Sequence, residues 1–417
     1  MLLSFRVKNF RSFADEAIFS MRPVNAYKEF EQNLCEIKKI NVLKVAGIYG
    51  PNASGKSNVI RAIGAMRHIL FDSLRRSSVD KIDVEPFELN SINRSAPTEF
   101  DIEMIIDNYV YRYGFSVTRD SVVAEWLYRS LGGQCAVSHV MFIREGKSIL
   151  EFNKSCFNEL KKSFDIETLL PNALLLPRLD QYNNRISKRV MGWFKNLNVL
   201  SGISSSKYGE YSARNFQRED FQEKMLSVIK LADSTIKKIS IKTEEISADE
   251  LPFNVRMRLP QSLRGFSVES RTVSVDRLDS EGCNVPFDLD DQESEGTKKL
   301  FEMSGPLVDI LNKGSVLVID ELEAKLHPSL TRKIVSLFQS KDWNPNNAQL
   351  IFVTHEVTLL RRASLRRDQI WFCEKGRSCK SELYCLAEVQ STKRARSEDN
   401  LEKKYLEGRF GAIPNFV

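Results

Sequence analysis

"AGIYGPNASGKSNVIRAI", residues 46–63, decides the fold. Within it Gly50, Pro51, Asn52, Ala53, Ser54, Gly55, Lys56 and Ser57 fit the spacing G-x-x-x-x-G-K-[ST] residue for residue. Upstream, Val42, Leu43, Val45, Ala46 and Ile48 make a mostly apolar run with β-branched residues, as a buried strand would, and downstream Asn58 to Leu70 reads as a helix. Strand, loop and helix are the context in which this spacing binds phosphate. The glycines let the backbone curl, so that successive N–H groups and the helix N-terminus point at anionic oxygens. Lys56 can reach the β- and γ-phosphates, and the Ser57 hydroxyl can ligand Mg²⁺. A nucleotide is therefore expected on Gly50, Asn52, Ala53, Ser54, Gly55, Lys56, Ser57 and Asn58. The bland alternative is a glycine-rich turn whose lysine is merely a surface charge.

Composition bounds the rest. The chain has 417 residues, 42% hydrophobic and 28% charged, enough for two or three structural units. No run approaches the roughly 18 apolar residues of a membrane span. The opening MLLSFRVKNF has neither a signal-type apolar block nor a small-residue cleavage site, so a cytoplasmic protein with no membrane partner is expected. Seven cysteines are odd in number, scattered and without a C-x-x-C pair, which favours reduced thiols. The gaps among Cys373, Cys379 and Cys385 do not match zinc spacing, so core or strand positions are the better reading. A net charge of +6 permits nucleic-acid contact without requiring it. Basic clusters at Arg75–Arg76, at Arg361, Arg362, Arg366 and Arg367, and at Lys393, Arg394 and Arg396 would carry such contact, against the plainer reading of solvated faces.

A phosphate loop needs an acidic group for the metal and something to position water. SVLVIDELE, residues 315–323, supplies both. Val316 to Ile319 are continuously apolar, the mark of a strand buried on both faces, with Asp320 and Glu321 at its C-terminal end. Asp320 is expected to hold Mg²⁺, and Glu321 to orient or deprotonate the attacking water. QLIFVTH, residues 349–355, is a further apolar run ending in His355, where an imidazole could meet the γ-phosphate or the water. In ESEGTKKLFEM, residues 293–303, Ser294, Gly296 and Thr297 offer a hydroxyl and a flexible backbone at a helix start, an anion site or a simple N-cap.

This arrangement resembles the ABC-type ATPase heads of the RecF/SMC-like soluble branch. Gly50 to Ser57 looks like Walker A, VLVIDE like Walker B with its catalytic glutamate, ESEGT like a variant signature, THE like the switch histidine, and ELEAKLHP like the D-loop. The opening NFRSF, Asn9 to Phe13, looks like that branch's first strand. PFEL, RYGFSV, EWLYRS, NALLLP, DQIWFCEK and YLEGRFGAIPN are similar to the bacterial AAA-labelled ATPases of the RloA and abortive-infection type. The resemblance implies an α/β P-loop fold, ATP and Mg²⁺ as cofactors, and a homodimer or higher oligomer whose signature closes over ATP held by another subunit. It further implies a separately encoded effector, often a Toprim-type nuclease, and a phage trigger. The signature departs from Leu-Ser-Gly-Gly-Gln and no clear Q-loop glutamine is present, with Phe87 about where that segment belongs. Both departures suit slow, switch-like turnover.

The motifs lie at the two ends, so a split head is expected: a first lobe over residues 1–130, a mainly helical insert over 131–284 and a second lobe over 285–417. Thr98 to Ile106 and Tyr109 to Val117 alternate around Asp107–Asn108 as an antiparallel hairpin, with a further strand from Val122 to Tyr128. Phe221, Met225, Val228, Ala232, Ile236 and Ile239 recur as one helical stripe. No sustained heptads support a long coiled coil, which disfavours chromosome-scale bridging. The functional expectation is an ATP-driven sensor and regulator in anti-phage defence. The alternative is a RecF-like DNA-repair ATPase, and a transporter subunit fits least.

Overall fold

Alternating and continuously apolar stretches of this chain sort into different sheets. In the computed structural model, which describes residues 1–132, 137–154, 157, 168–203, 206–247, 267–360, 365–389 and 400–412, the chain forms two compact units. The first comprises residues 1–202, 311–323 and 334–417; the second comprises 203–310 and 324–333.

Strands of the first unit are β1 (Leu2–Lys8), β2 (Ala17–Ser20), β3 (Leu34–Ile37), β4 (Ile40–Leu43), β5 (Val45–Tyr49), β6 (Thr98–Ile106), β7 (Tyr109–Val117), β8 (Val122–Leu131), β9 (His139–Glu145), β10 (Ser148–Phe152) and β11 (Leu197–Ser201). The second unit holds β12 (Lys238–Ser247), β13 (Ser267–Leu278) and β14 (Asn284–Asp288). The first resumes with β15 (Val316–Asp320), β16 (Gln349–Val353), β17 (Ile370–Lys375) and β18 (Ser381–Cys385).

The site rests on a six-stranded sheet in the order β11-β15-β16-β5-β17-β18, parallel except for the antiparallel edge strand β18. Every residue of β5 and β16 is buried, as are Val316 to Ile319 of β15, the burial expected of central parallel strands. The helix Lys56–Asp72 lies against β11, β15 and β16. It buries Val59, Ile60, Ile63, Met66 and Leu70 at three- and four-residue intervals. The apolar run before the loop divides at Lys44: β4 pairs with β3 in a separate hairpin, while β5 joins the parallel sheet. Lys44 marks the change of partner, its carbonyl accepting the Leu350 N–H and its ammonium donating to the Gln32 carbonyl.

A seven-stranded antiparallel sheet, β10-β9-β8-β7-β6-β1-β2, contains the expected hairpin in the expected register, Ile106 opposite Tyr109. NFRSF is not a strand. β1 ends at Lys8, and Asn9 and Arg11 take φ of 55° and 49° in a tight turn closed by two Phe10–Phe13 backbone bonds of 2.8 Å. Buried Gln349, the first residue of β16, ties β1 to the parallel sheet. Its amide donates to the carbonyls of Leu2 and Leu43 and accepts from the Leu2 N–H.

The stretch 131–284 carries strands as well as helices, so it is less helical than its sequence suggests. Helices Leu175–Gln181 and Arg185–Lys195 belong to the first unit, and Ser206–Phe216 and Glu219–Ile229 to the second. The stripe from Phe221 stays helical only to Ile229; Ala232 lies in a turn, Ile236 just after the next one and Ile239 in β12. Asp233 interrupts it, its carboxylate accepting the Thr235 N–H and hydroxyl at 2.9 and 2.6 Å, a local turn that competes with helix. Among the described residues Cys35, Cys373 and Cys385 are buried, Cys283 and Cys379 exposed, and all five free. No helix among these residues is long and apolar enough to cross a membrane.

Candidate active site

The C-terminal ends of β5, β15 and β16 meet at one edge of the parallel sheet, the edge where open α/β sheets bind ligands. From β5 the chain runs through the glycine-rich loop into the helix beginning at Lys56. Gly55 takes φ +108°, and a Cβ there would stand 2.3 Å from Ser381 Oγ and 2.7 Å from Ser12 Oγ, so only glycine closes this turn. The loop is braced from outside the motif. Ser381 Oγ and Cys373 Sγ donate to the Ser54 carbonyl at 2.5 and 3.2 Å. Asn58, expected on the nucleotide, spends its amide on Ser12 Oγ at 2.8 Å.

Lys56 is buried, its ammonium donating to the carbonyls of Gly50 and Pro51 at 2.7 Å each. Burial lowers its pKa, partly offset by Cys373 and by the carboxylates of Asp320, Glu323 and Glu321. Ser57 Oγ donates to Asp320 Oδ1 at 3.0 Å across 263 positions of sequence. A hydroxyl and a carboxylate held that close fit a divalent cation that keeps phosphate and water as its other ligands. The described residues contain no cluster of three or more His, Cys, Asp or Glu that could hold a metal by themselves.

Glu321 sits beside this pair with φ 54°, a left-handed conformation uncommon for a glutamate. Gly202, the residue after β11, explains how the turn is held. Its N–H donates to the Asp320 carbonyl at 2.7 Å, and a Cβ on it would lie 1.9 Å from the Glu321 carbonyl oxygen. His355 follows β16 by two residues, and its backbone N–H donates to Glu323 Oε1 at 2.6 Å. Its imidazole pKa is lowered, first by burial and then by Lys56, against the opposing pull of Glu323, Glu321 and Asp320. The glycine-rich loop, the Ser57–Asp320 pair, the acidic turn and His355 thus all belong to the first unit.

Residues 45–361 match the family model described as "AAA domain, putative AbiEii toxin, Type IV TA system". The chain belongs to that family. With its phosphate loop, motif order and parallel sheet, this makes it a P-loop ATPase. Among solved structures it is similar to the SMC head domain from Thermotoga maritima, at 13% identity over 92% of this chain and 98% of that one, with a TM-score of 0.40. An SMC head with an extended coiled coil, bound to the C-terminal domain of ScpA derived from Pyrococcus furiosus, shares 13% identity over 94% and 98%, with a TM-score of 0.39. The recombination mediator RecF with ATP, from the RecFOR pathway, shares 16% over 92% and 97%, with a TM-score of 0.33. No curated protein matches by sequence.

The remaining expected residues of this ATPase, Ser294, Gly296 and Thr297, belong to the second unit. There Ser294 caps the helix Glu295–Lys313, its Oγ accepting the Thr297 N–H at 3.2 Å and lying 2.9 Å from Thr297 Oγ1. The Lys325 ammonium pairs with Glu295 at 2.8 Å. Sequence reasoning missed Ser12, Cys373, Ser381, Gly202 and Glu323, which act on the motif from a distance in sequence. It also missed a cavity of about 320 Å³ beside the phosphate loop, lined by Arg11, Ser12, Phe87, Arg119, Lys375 and Cys379 among others. The two phenylalanines of NFRSF were the available signal, since the turn that buries Phe10 and Phe13 leaves Ser12 bonded to Asn58 and places Arg11, paired with Glu85, on the cavity wall.

Proposed function

We propose that this chain binds and hydrolyses Mg-ATP at the β5–β15–β16 edge and uses the cycle to regulate a separately encoded effector, a Toprim-type nuclease, in anti-phage defence. The observation that carries the ATPase chemistry is the Ser57–Asp320 hydrogen bond of 3.0 Å, which brings the two halves of a phosphate and metal site together. In this reading the loop amides and Lys56 hold the phosphates. Ser57 and Asp320 hold Mg²⁺, which when bound neutralises charge on the phosphate oxygens. Glu321 orients or deprotonates the attacking water, and His355 stands beside the γ-phosphate. The cavity lined by Arg11, Phe87 and Lys375 accepts the base and ribose. Ser294, Gly296 and Thr297 close over ATP held by another copy, so turnover depends on a dimer or larger oligomer and is slow.

The regulatory part rests on the family description, which names a toxin–antitoxin system. A RecF-like role on DNA would draw on the basic clusters, and much of that charge has structural work. Arg366 is buried, paired with Asp368 at 2.8 Å and donating to the carbonyls of Glu29 and Tyr27. Arg367 pairs with Glu29, and Arg76 is buried against Asp72. Arg361, Arg362 and the basic run at 393–396 lie outside the described residues. The test is a pull-down of tagged Glu321→Gln protein from its native host with bound protein and nucleic acid both identified. A stoichiometric nuclease is the expected result; DNA with repair factors and no nuclease would replace this reading by the second.

A further inference from the structure

Three hydrogen bonds hold the turns after β15 and β16, two of them between the turns and one to β5, and they differ in kind. Leu322 N–H donates to the Val353 carbonyl at 3.3 Å, and Thr354 N–H donates to the Ile48 carbonyl of β5 at 3.2 Å. Both are backbone bonds that any residue could make. The third runs from His355 N–H to the side chain of Glu323 at 2.6 Å and exists only because a glutamate stands at that position. A charged acceptor makes it the strongest of the three.

The rest of the carboxylate is unusual. Glu323 Oε2 is buried and has no partner among the described residues, and the buried hydroxyl of Tyr49 on β5 is likewise without one. Tyr49's pKa is raised well above its ordinary value by burial first and by the nearby Glu323 charge next. A buried acceptor left half-used costs stability. Glu323 is held there although an apolar residue would pack without that cost.

We infer that Glu323 is a positioning residue: its carboxylate fixes the backbone of His355 against the turn bearing Glu321, so that the histidine and the water-orienting glutamate face one phosphate in register. This rests on the ATPase reading of the site. Thr354 is pinned toward β5 and His355 toward Glu323, so the two-residue extension of β16 is gripped from both sides. Loss of the Glu323 grip leaves the phosphate loop untouched and frees only the histidine.

Two substitutions separate reach from charge. Glu323→Gln keeps an acceptor oxygen at the same distance and removes the charge, whereas Glu323→Asp keeps the charge and withdraws the acceptor by one methylene. Steady-state ATP hydrolysis should show kcat within about threefold of wild type for Glu323→Gln, but down by roughly tenfold or more for Glu323→Asp, with the KM for ATP little changed in either. In a His355→Ala background, Glu323→Asp should add nothing further. Wild-type kcat in Glu323→Asp, or equal losses in both variants, would overturn the inference. A second readout does not need turnover. The chain has four histidines, so ¹⁵N-histidine labelling gives four backbone amide signals, with that of His355 assigned by His355→Ala. It should move upfield in Glu323→Asp and stay near its wild-type position in Glu323→Gln. A wild-type protein that hydrolyses no ATP but shows this amide pattern would refute the ATPase reading alone. Normal hydrolysis with a His355 amide indifferent to Glu323→Asp would refute the positioning role alone.

Discussion

The edge of the parallel sheet and the start of the helix Glu295–Lys313 both carry hydroxyls and glycine suited to phosphate, yet they are built in opposite ways. At the sheet edge the partners come from far apart: Ser57 meets Asp320 across 263 positions, Ser381 reaches Ser54 across 327, and His355 meets Glu323 across 32. At the helix start they are immediate neighbours, Ser294 bonding Thr297 three residues on. Long-range bonds among polar groups need the whole fold to hold them, whereas an N-cap needs only one turn. The first region is therefore specified as a site by the first unit itself. The second is a capped helix whose role in hydrolysis depends on what approaches it.

The sharpest way to break this contrast is at the loop. Lys56→Ala removes an ammonium whose charge-assisted hydrogen bonds are worth about 1.5–3 kcal/mol each. Calorimetric titration with Mg-ATP should show affinity reduced by roughly a hundredfold or more; an unchanged dissociation constant would remove the loop from the site. Gly202→Ala tests the remote support. Its Cβ would press on the Glu321 carbonyl, so kcat should fall by about tenfold with ATP affinity kept, and overpacking should cost about 1–3 kcal/mol in denaturant unfolding. Unaltered turnover would show that the Glu321 turn tolerates displacement.

Ser294→Ala examines the other region. Loss of the cap costs about 1 kcal/mol, a fall of roughly 2–4 °C in melting temperature. If the residue also closes over ATP of another copy, phosphate release falls several-fold while ATP affinity holds. Release unchanged despite the lower melting temperature would leave Ser294 a cap and nothing more. The smallest effect is on pH. His355 has its pKa below the ordinary value of 6.5, so it is neutral at pH 7 and above. The rate should be flat from about pH 7 to 8 and fall only on the acid side as the ring protonates. His355→Ala should abolish that acid limb, and a limb that persists would assign it to another group.

Much of this was legible in the sequence because its rules are local. Gly55 and Lys56 obey a spacing fixed by how a backbone curls around phosphate, and Thr98 to Val117 reads as a hairpin from two β-rich runs around Asp107–Asn108. Val316 to Ile319 and Gln349 to Val353 read as central strands because parallel strands are covered on both sides. What escaped depends on contacts with no local signature. Gly202 looks like any glycine after a strand until Glu321 is found within 1.9 Å of its missing Cβ. Nothing near Asn58 in sequence shows that its side-chain amide donates to Ser12. The helix from Phe221 was overextended because Ala232, Ile236 and Ile239 keep a helical spacing and are buried or partly buried, while Asp233 and Thr235 turn the chain between them.

The central claim is that one edge of one sheet both binds ATP and cleaves it, with separate residues for the two tasks. Binding and hydrolysis measured side by side on Glu321→Gln test it most directly. Mg-ATP affinity should stay within about threefold of wild type and phosphate release should slow by roughly a hundredfold or more, the range expected on removing a group that positions or deprotonates water. Release at the wild-type rate would contradict it, placing the water on some other residue.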